Sequence, residues 1–311
     1  MDLSNVPGSR QELTKEILEL KKKYNAVILV HNYQLDEVQS VADHLGDSLE
    51  LSRLAAKTSA DIIVFCGVHF MAETAYILSP TKTVLLPEIN AGCPMADMIN
   101  PEQLKKLKEE NPDAIVVTYV NSSAEIKALS DYCCTSANAE KIVATLPANQ
   151  KIIFTPDMNL GAWITRKRPD NKIIWPGYCP VHHRLLPFEI EEKKRQFPDA
   201  VVIVHPEAPI DVLKLADAVE STGGMVNYVQ SLPSGKFVII GTEAGMINRL
   251  RRVRSDLVYI PASPDTVCSN MKKTRLSHVR DSLLFMQHKI TVPDEIAEKA
   301  RRSINRMLEV G

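Results

Sequence analysis

The sequence lacks the features that mark several large classes of protein. Its net formal charge is −1, from 37 basic and 38 acidic side chains, and this balance gives no electrostatic sign of binding to nucleic acid or an anionic membrane. No apolar run approaches the roughly 20 residues that cross a bilayer. The polar first ten residues also lack the apolar core of a secretory signal. We therefore expect a cytosolic protein without a nucleic-acid or membrane partner.

Aromatic residues, cysteines and glycine-rich motifs are also sparse. Aromatic side chains make up 5 % of the 311 residues, so aliphatic side chains must build most of the core. Six cysteines in a long cytosolic chain do not indicate a disulfide framework, but buried, metal-binding or catalytic thiols. The STGG segment at 221–224 is neither a GxGxxG nor a Walker motif, so nucleotide binding has little support.

What the chain does contain is one unit present three times. Three apolar strand patterns, each after a charged amphipathic stretch, end at HNY (31–33), YVN (119–121) and HPE (205–207). An aspartate, a hydroxyl residue and a cysteine follow each strand in the same order, and the cysteines lie 86 and 89 residues apart. The equivalent residues are Asp43, Asp131 and Asp217; Ser48, Ser136 and Thr222; and Cys93, Cys179 and Cys268.

Each unit has the pattern helix, strand, helix, short strand, helix, strand, helix, strand. This alternation predicts an α/β fold of three αβα domains, each with a small parallel sheet covered on both faces. Packing around a pseudo-threefold axis would direct the carboxyl ends of the strands, where such sheets bind ligands, into one cavity. The predicted boundaries are 1–92 for the first repeat, joined by a C-terminal helix at 292–311; 93–178 for the second; 179–267 for the third; and 268–311 for a closing segment.

The repeated cysteines predict a metal centre with one thiolate from each domain. Three thiolates would leave one iron of a [4Fe-4S] cluster open as a Lewis acid. Proline follows Cys93 and Cys179, which suits the first turn of a helix that stabilises a thiolate. Buried structural thiols are the alternative, and zinc is a weaker one, because its ligand sets usually include histidine or a fourth cysteine. The non-repeated thiols are interpreted as structural: Cys66, Cys133 and Cys134.

Polar side chains occupy the same strand-end positions in all three repeats. His31, Tyr119 and His205 end the strands, and Tyr33, Asn121 and Glu207 come two residues later, which predicts one shared face. These groups suit acid–base chemistry and binding. The repeated hydroxyl residues are either helix N-caps or anion ligands in the cavity. His182 and His183 either touch the site or lie in a solvated loop.

Taken together, these residues resemble quinolinate synthase, a family of de novo NAD biosynthesis, over nearly the whole chain. The resemblance rests on several motifs: HNYQ (31–34), GDS (46–48), YVNSSAE (119–125), TSAN (135–138), CPVH (179–182), VHPE (204–207), STG (221–223), IGTEAGM (240–246) and CSNMK (268–272).

The resemblance implies one non-redox [4Fe-4S] cluster per chain with three cysteine ligands, Cys93, Cys179 and Cys268. It also implies condensation of iminoaspartate with dihydroxyacetone phosphate to give quinolinate, phosphate and water. The enzyme that makes iminoaspartate is then a candidate partner. The residues expected to line the substrate cavity are His31, Ser48, Tyr119, Val120, Asn121, Ser136, His205, Pro206, Glu207 and Thr222.

In this chemistry we expect Glu207 and Tyr33 to move protons, with His31 and His205 binding or relaying. Ser136 with Thr222 or Ser48 would hold phosphate or carboxylate. Some relatives carry a Cys-x-x-Cys-x-x-Cys run at the last ligand, whereas DTVCSNM (265–271) has a single cysteine, so redox switching there has no support. The competing hypotheses are an Fe–S hydro-lyase acting on one polycarboxylate, a cluster-based oxygen or redox sensor, and, more weakly, an electron carrier.

Overall fold

The computed structural model describes residues 7–168 and 170–310. Residues 1–6 lie outside the described residues. The prediction that the chain has no secretory signal rests partly on them. The chain forms two compact units. The first runs to Cys93 and resumes over Cys268–Glu298, and the second comprises Pro94–Val267 and resumes at Lys299.

The first unit contains one four-stranded sheet. Its strands lie in the order β2-β1-β3-β4 and pair in parallel throughout. The central strands are apolar runs buried on both faces, as expected for a parallel sheet with helices on either side. The elements are α1 (Pro7–Lys23), β1 (Ala26–His31), α2 (Asp36–Gln39), β2 (His44–Gly46), α3 (Ser48–Lys57), β3 (Ile62–Cys66), α4 (His69–Leu78) and β4 (Thr83–Leu85).

The second unit contains two further sheets with the same strand order, β6-β5-β7-β8 and β10-β9-β11-β12. All of their pairings are parallel. The elements of its first sheet region are α5 (Pro101–Glu109), β5 (Ile115–Tyr119), α6 (Ala124–Ala128), β6 (Tyr132–Cys134), α7 (Ala139–Thr145), β7 (Ile152–Thr155), α8 (Met158–Ile164) and β8 (Lys172–Ile174). Those of its second are α9 (Pro180–His183), α10 (Pro187–Gln196), β9 (Val201–Val204), α11 (Ile210–Leu213), β10 (Ala218–Val219), α12 (Thr222–Gln230), β11 (Phe237–Gly241), α13 (Met246–Val253) and β12 (Val258–Pro261).

The predicted α/β class and the threefold repetition of the unit are confirmed, because three parallel four-stranded sheets share one strand order. In each sheet the strand of the repeated apolar pattern is central and pairs with both the short strand and the next long strand. The arrangement around a pseudo-threefold axis and the domain boundaries stay predictions.

Two helices follow the third repeat, α14 (Leu276–Phe285) and α15 (Asp294–Val310). Within the first unit, α14 packs with α1 against the sheet, where Leu276 and Val279 join the buried core around Val30. Within the second unit, the later part of α15 contacts the second repeat, since the Ser303 hydroxyl donates to the Lys127 carbonyl at 2.7 Å. Among the described helices, none is long and apolar enough to cross a membrane.

The repeated aspartates have a structural role common to all three sheets. Each lies just before the short strand, and its carboxylate accepts a hydrogen bond from a backbone N–H of the central strand at 2.8 Å. Its own N–H donates to the carbonyl of that same strand residue. The pairs are Asp43 with Ile28, Asp131 with Val116, and Asp217 with Val202. The aspartate therefore fixes the turn that leads into each short strand.

Replacing Asp131 by alanine is expected to lower the free energy of unfolding by about 1.5–3 kcal/mol, because a charged acceptor of a partly buried N–H is lost. Asp131→Asn is the matched control, since its side-chain oxygen can still accept from Val116. Urea denaturation measures both variants. An Asp131→Ala protein as stable as the wild type would show that the repeated aspartate does not support the sheet.

Candidate active site

The carboxyl end of β1 holds two of the predicted residues in the first unit. Tyr33 donates its backbone N–H to His31 Nδ1 at 3.2 Å, and the two rings meet edge to face at 4.7 Å. Both side chains are buried. Because Nδ1 accepts a hydrogen bond, the neutral His31 ring carries its hydrogen on Nε2.

The third repeat has the same hydrogen bond from a backbone N–H to a histidine two residues earlier. Glu207 donates its N–H to His205 Nδ1 at 3.3 Å, which leaves Nε2 to carry the hydrogen. His205 Nε2 lies 3.2 Å from the Ser136 hydroxyl. The second unit thus brings together two predicted residues that are 69 positions apart in the chain.

The expected strand alternation does not explain these positions. Tyr33, Asn121 and Glu207 lie in turns beyond the ends of their strands, so the period-two rule does not apply to them. The chain bends after the last strand residue, and in the first and third repeats its N–H then bonds the preceding histidine. A turn, not a shared strand face, therefore fixes Tyr33 relative to His31 and Glu207 relative to His205.

Glu207 is the centre of the site in the second unit. Tyr119 Oη donates to its Oε1 at 2.5 Å, and His182 Nδ1 lies 2.7 Å from its Oε2. Asn159 Nδ2 donates to its backbone carbonyl at 2.9 Å. The His182 and His205 rings stack with their centroids 4.7 Å apart. All of these side chains are buried, so the carboxylate is held by fixed donors and not by bulk water.

The charge state of Glu207 follows from these contacts. Burial alone raises the pKa of the Glu207 carboxyl, but the charge and hydrogen bond of His182, with the hydrogen bond of Tyr119, bring that pKa below its ordinary value. The side chain is therefore a buried, ionised carboxylate. Such a group can accept a proton from a substrate bound beside it.

A second carboxyl group, Asp157, supports the loop that carries Cys179. It accepts backbone hydrogen bonds from Leu160 at 2.7 Å, as the N-cap of α8, and from Cys179 at 3.1 Å. Burial, and then the charge of Glu207, raise the pKa of Asp157 well above its ordinary range. Asp157 is thus a structural support of the Cys179 backbone.

Each of the three repeated cysteines precedes a helical turn, but the turns differ. Pro180 is the first residue of α9, as predicted from the sequence. Pro94 does not begin an α-helix. A 3-10 turn, Ala96–Met98, follows it, and α5 starts only at Pro101. After Cys268 the backbone makes a single turn, in which Lys272 donates its N–H to the Cys268 carbonyl at 3.2 Å.

The six cysteines fall into two groups by burial. None of the six forms a disulfide bond. Those of the repeat, Cys93, Cys179 and Cys268, are partly exposed, whereas the other three are buried. Burial raises the pKa of Cys66 and of Cys134, and raises that of Cys133 to about 11. This division supports the interpretation of the buried three as structural, since thiolates are the metal-binding form.

Thiol alkylation of the folded, cluster-free protein at pH 8 should separate these groups. Cys93, Cys179 and Cys268 are expected to react first, and the buried three only after unfolding. At a pKa of about 11, roughly one Cys133 side chain in a thousand is ionised at pH 8, and this fraction rises tenfold per pH unit. Peptide mapping by mass spectrometry identifies the labelled sites. Fast labelling of Cys133 in the folded protein would contradict the assignment.

The repeated hydroxyl residues are not the N-caps of the helices beside them. Asp47 caps α3 and accepts from Glu50, and Ser221 caps α12 and accepts from Gly224. Ser48 and Thr222 are therefore the first helical residues, and the N-cap interpretation is wrong for both. In the second repeat Asn138 precedes α7, and Ser136 contacts His205 as described above.

The peptide beyond β5 contains two more predicted residues. Val120 is buried and continues the ladder by donating its N–H to the Cys134 carbonyl at 2.9 Å. Asn121 Oδ1 is buried and has no hydrogen-bond partner among residues 7–168 and 170–310. An unsatisfied buried acceptor is costly, so this oxygen is suited to a donor on a ligand.

Several residues of this site were not recognisable from the sequence. His182 is buried beside Glu207, so the solvated-loop interpretation is wrong for it. Asp157 and Asn159 carried no prediction, and Thr242 was named only within the IGTEAGM motif, because none of them is repeated. Their only sequence signal is proximity to strand ends, which many inert residues share.

A buried carboxylate held by histidine and tyrosine beyond the strand ends of a parallel α/β fold is typical of enzymes. The chain belongs to the quinolinate synthetase A protein family, whose model matches residues 15–309.

The curated relatives that the chain resembles are named quinolinate synthase. The protein from Dehalococcoides mccartyi (strain CBDB1) is 52 % identical over 301 residues, which cover 97 % of this chain and 99 % of the relative. That of Thermodesulfovibrio yellowstonii is 52 % identical over 94 % of this chain and 97 % of its own length. That of Methanoregula boonei is 52 % identical over 95 % and 97 %.

Proposed function

We propose that this protein is a quinolinate synthase of NAD biosynthesis that condenses iminoaspartate with dihydroxyacetone phosphate. The products are quinolinate, one phosphate and two waters, so the reaction balances without an electron donor or acceptor. The observation that carries the proposal is the buried Glu207 carboxylate between Tyr119 Oη and His182 Nδ1, in a chain of this family.

Glu207 is the proposed base for enolisation, imine formation and dehydration. Its pKa lies below the ordinary value, which keeps it ionised at neutral pH, the form that a base needs, but also makes it a weaker base than an ordinary carboxylate. Tyr33 is the second proposed proton carrier, placed by the bond from its N–H to His31. His31 and His205 present Nε2–H as a donor, which suits binding a carboxylate or passing on a proton.

The remaining residues are proposed to bind substrate. Asn121 Oδ1, a buried acceptor, suits a hydroxyl or amine hydrogen. Ser136, with Thr222 or Ser48, is proposed to hold phosphate or carboxylate. Ser48 and Thr222 support this role because they lie in the first turns of α3 and α12, where backbone N–H groups favour anions. Val120 and Pro206 complete the proposed lining through their backbones.

We propose that Cys93, Cys179 and Cys268 hold one [4Fe-4S] cluster per chain. Three partly exposed thiols outside any disulfide, at equivalent positions of the repeat, fit this soft donor set. When bound, such a cluster supplies an open iron that acts as a Lewis acid on a substrate oxygen. Asp157 fixes the backbone of one ligand by accepting the Cys179 N–H.

Six cysteines outside disulfides also fit the proposed cytosolic location, where thiols stay reduced. The proposed partners are the two small substrates and the enzyme that makes iminoaspartate.

An anaerobic assay with both substrates tests the function. We expect quinolinate to form, as detected by mass spectrometry, only when both substrates are present, with phosphate released in equal amount. An Fe–S hydro-lyase would instead dehydrate a single polycarboxylate and need no dihydroxyacetone phosphate. A sensor would turn over neither substrate. Failure to form quinolinate with a full cluster present would refute the proposal.

A further inference from the structure

Three different metal-binding groups meet in the second unit. Cys179 Sγ, His182 Nδ1 and a Glu207 carboxylate oxygen all lie within 4.8 Å of one another. His182 Nδ1 is 3.2 Å from the sulfur and 2.7 Å from Glu207 Oε2. Cys179 is partly exposed, and the other two residues are buried.

We propose that Cys179, His182 and Glu207 form a mononuclear site for a divalent transition metal of the zinc class when Cys179 is not bound to a cluster. One thiolate, one imidazole and one carboxylate with an open fourth position is a ligand set that zinc accepts. The site itself stands on these contacts. Only its competition with the cluster depends on the proposed function.

Hydrogen bonds from neighbouring residues already hold the His182 and Glu207 donor atoms in position for an ion. His182 Nε2 lies 2.8 Å from the buried Thr242 hydroxyl, which leaves Nδ1 directed to the sulfur and the carboxylate. Tyr119 occupies the other oxygen of Glu207, Oε1, so that Oε2 faces Nδ1. Hydrogen bonds of this kind to a ligating histidine and carboxylate orient them toward the metal.

The charges balance when an ion enters. The ion replaces the proton shared by His182 Nδ1 and Glu207 Oε2, and the Cys179 thiol loses its own proton. Two protons leave as one divalent cation binds, so the net charge of this buried region does not change. Adjacent donors around a tetrahedral ion with bonds of about 2.0–2.3 Å lie more than about 3 Å apart. The 2.7 Å contact between His182 Nδ1 and Glu207 Oε2 therefore has to lengthen slightly when the ion binds.

The site has a consequence for assembly of the cluster. Cys179 Sγ faces either the mononuclear ion or the cluster, and cannot complete both ligand sets. Zinc in the site is therefore expected to block cluster assembly by occupying one ligand. Removing the ion should restore assembly.

Cobalt titration of the full-length, cluster-free protein tests the site, because Co²⁺ replaces Zn²⁺ and absorbs light when bound by a thiolate. We expect one equivalent to bind with a thiolate-to-cobalt absorption band that Zn²⁺ abolishes. Cys179→Ala should remove the band. His182→Ala and Glu207→Gln should weaken binding roughly tenfold or more. His183→Ala is the matched control, since His183 Nδ1 instead lies 3.1 Å from Asn159 Nδ2.

The two other repeated cysteines provide the decisive comparison. Cys93→Ala and Cys268→Ala should keep the cobalt band and its affinity, although both are expected to lose the cluster. A band that survives in Cys179→Ala, or disappears in Cys93→Ala or Cys268→Ala, would overturn the proposal. Circular dichroism confirms that each variant is folded. The readout needs neither substrate nor cluster, so a failed condensation assay would leave this result unaffected.

Discussion

Glu207→Gln is expected to lower kcat by a factor of about 10²–10⁴, the usual contribution of a general base. Glutamine has the same shape, and its amide oxygen can still accept from Tyr119. It carries no negative charge, so it cannot take a proton from substrate. Quinolinate formation under anaerobic conditions, at saturating concentrations of both substrates, measures the effect.

The comparison needs a matched variant and a count of iron. Glu191→Gln makes the same chemical change at an exposed position of α10 and should keep full activity. Iron content shows whether each protein carries its cluster. Full turnover by Glu207→Gln with an intact cluster would mean that another group is the base. Equal loss of iron and activity would assign Glu207 a role in assembly instead.

Replacing any one of Cys93, Cys179 or Cys268 by alanine is expected to abolish the cluster and with it all measurable quinolinate formation. The anaerobically purified wild type should contain about four irons and four sulfides per chain, the content of one [4Fe-4S] cluster. Each variant should contain almost none, because two remaining thiolates hold such a cluster poorly.

The buried cysteines supply the controls for this series. Cys66→Ala and Cys134→Ala remove thiols that are fully buried, and they should keep the wild-type iron content at some cost in stability. A full cluster in any one of the three repeated-cysteine variants would remove that residue from the ligand set. A wild-type protein that assembles no cluster from iron and sulfide after any bound zinc has been removed by a chelator would refute the cluster itself.

The sequence by itself determined the fold class and the threefold repeat of this protein. A strand buried on both faces must be apolar throughout, so the three central strands were recognisable as continuous runs. Parallel neighbours require helical crossovers, so the alternating pattern predicted three small parallel sheets, whereas their common strand order is seen only in the structure. Cys93, Cys179 and Cys268 were found for the same reason, since repetition showed that their positions were equivalent.

The sequence also showed some residues that stabilise turns and helix ends, but it did not show what those residues do. The spacing of Asp43, Asp131 and Asp217 was evident, but their bond to the central strand depends on the path of the turn. The capping of α3 by Asp47 and of α12 by Ser221 depends on where each helix begins. A shift of one residue decides whether a hydroxyl caps a helix or lies in its first turn.

Only the tertiary structure decided what surrounds Glu207. Tyr119 comes from the second repeat, 88 residues earlier in the chain, and His182 comes from the short helix after Cys179. Neither contact follows a local period. The packing of two sheets within one unit creates the first, and the path of the chain from α9 to the turn after β9 creates the second. The low pKa of Glu207 and the meeting of thiolate, imidazole and carboxylate follow from those contacts. Electrostatic effects depend on distances in space, whereas the sequence gives only the order of residues along the chain.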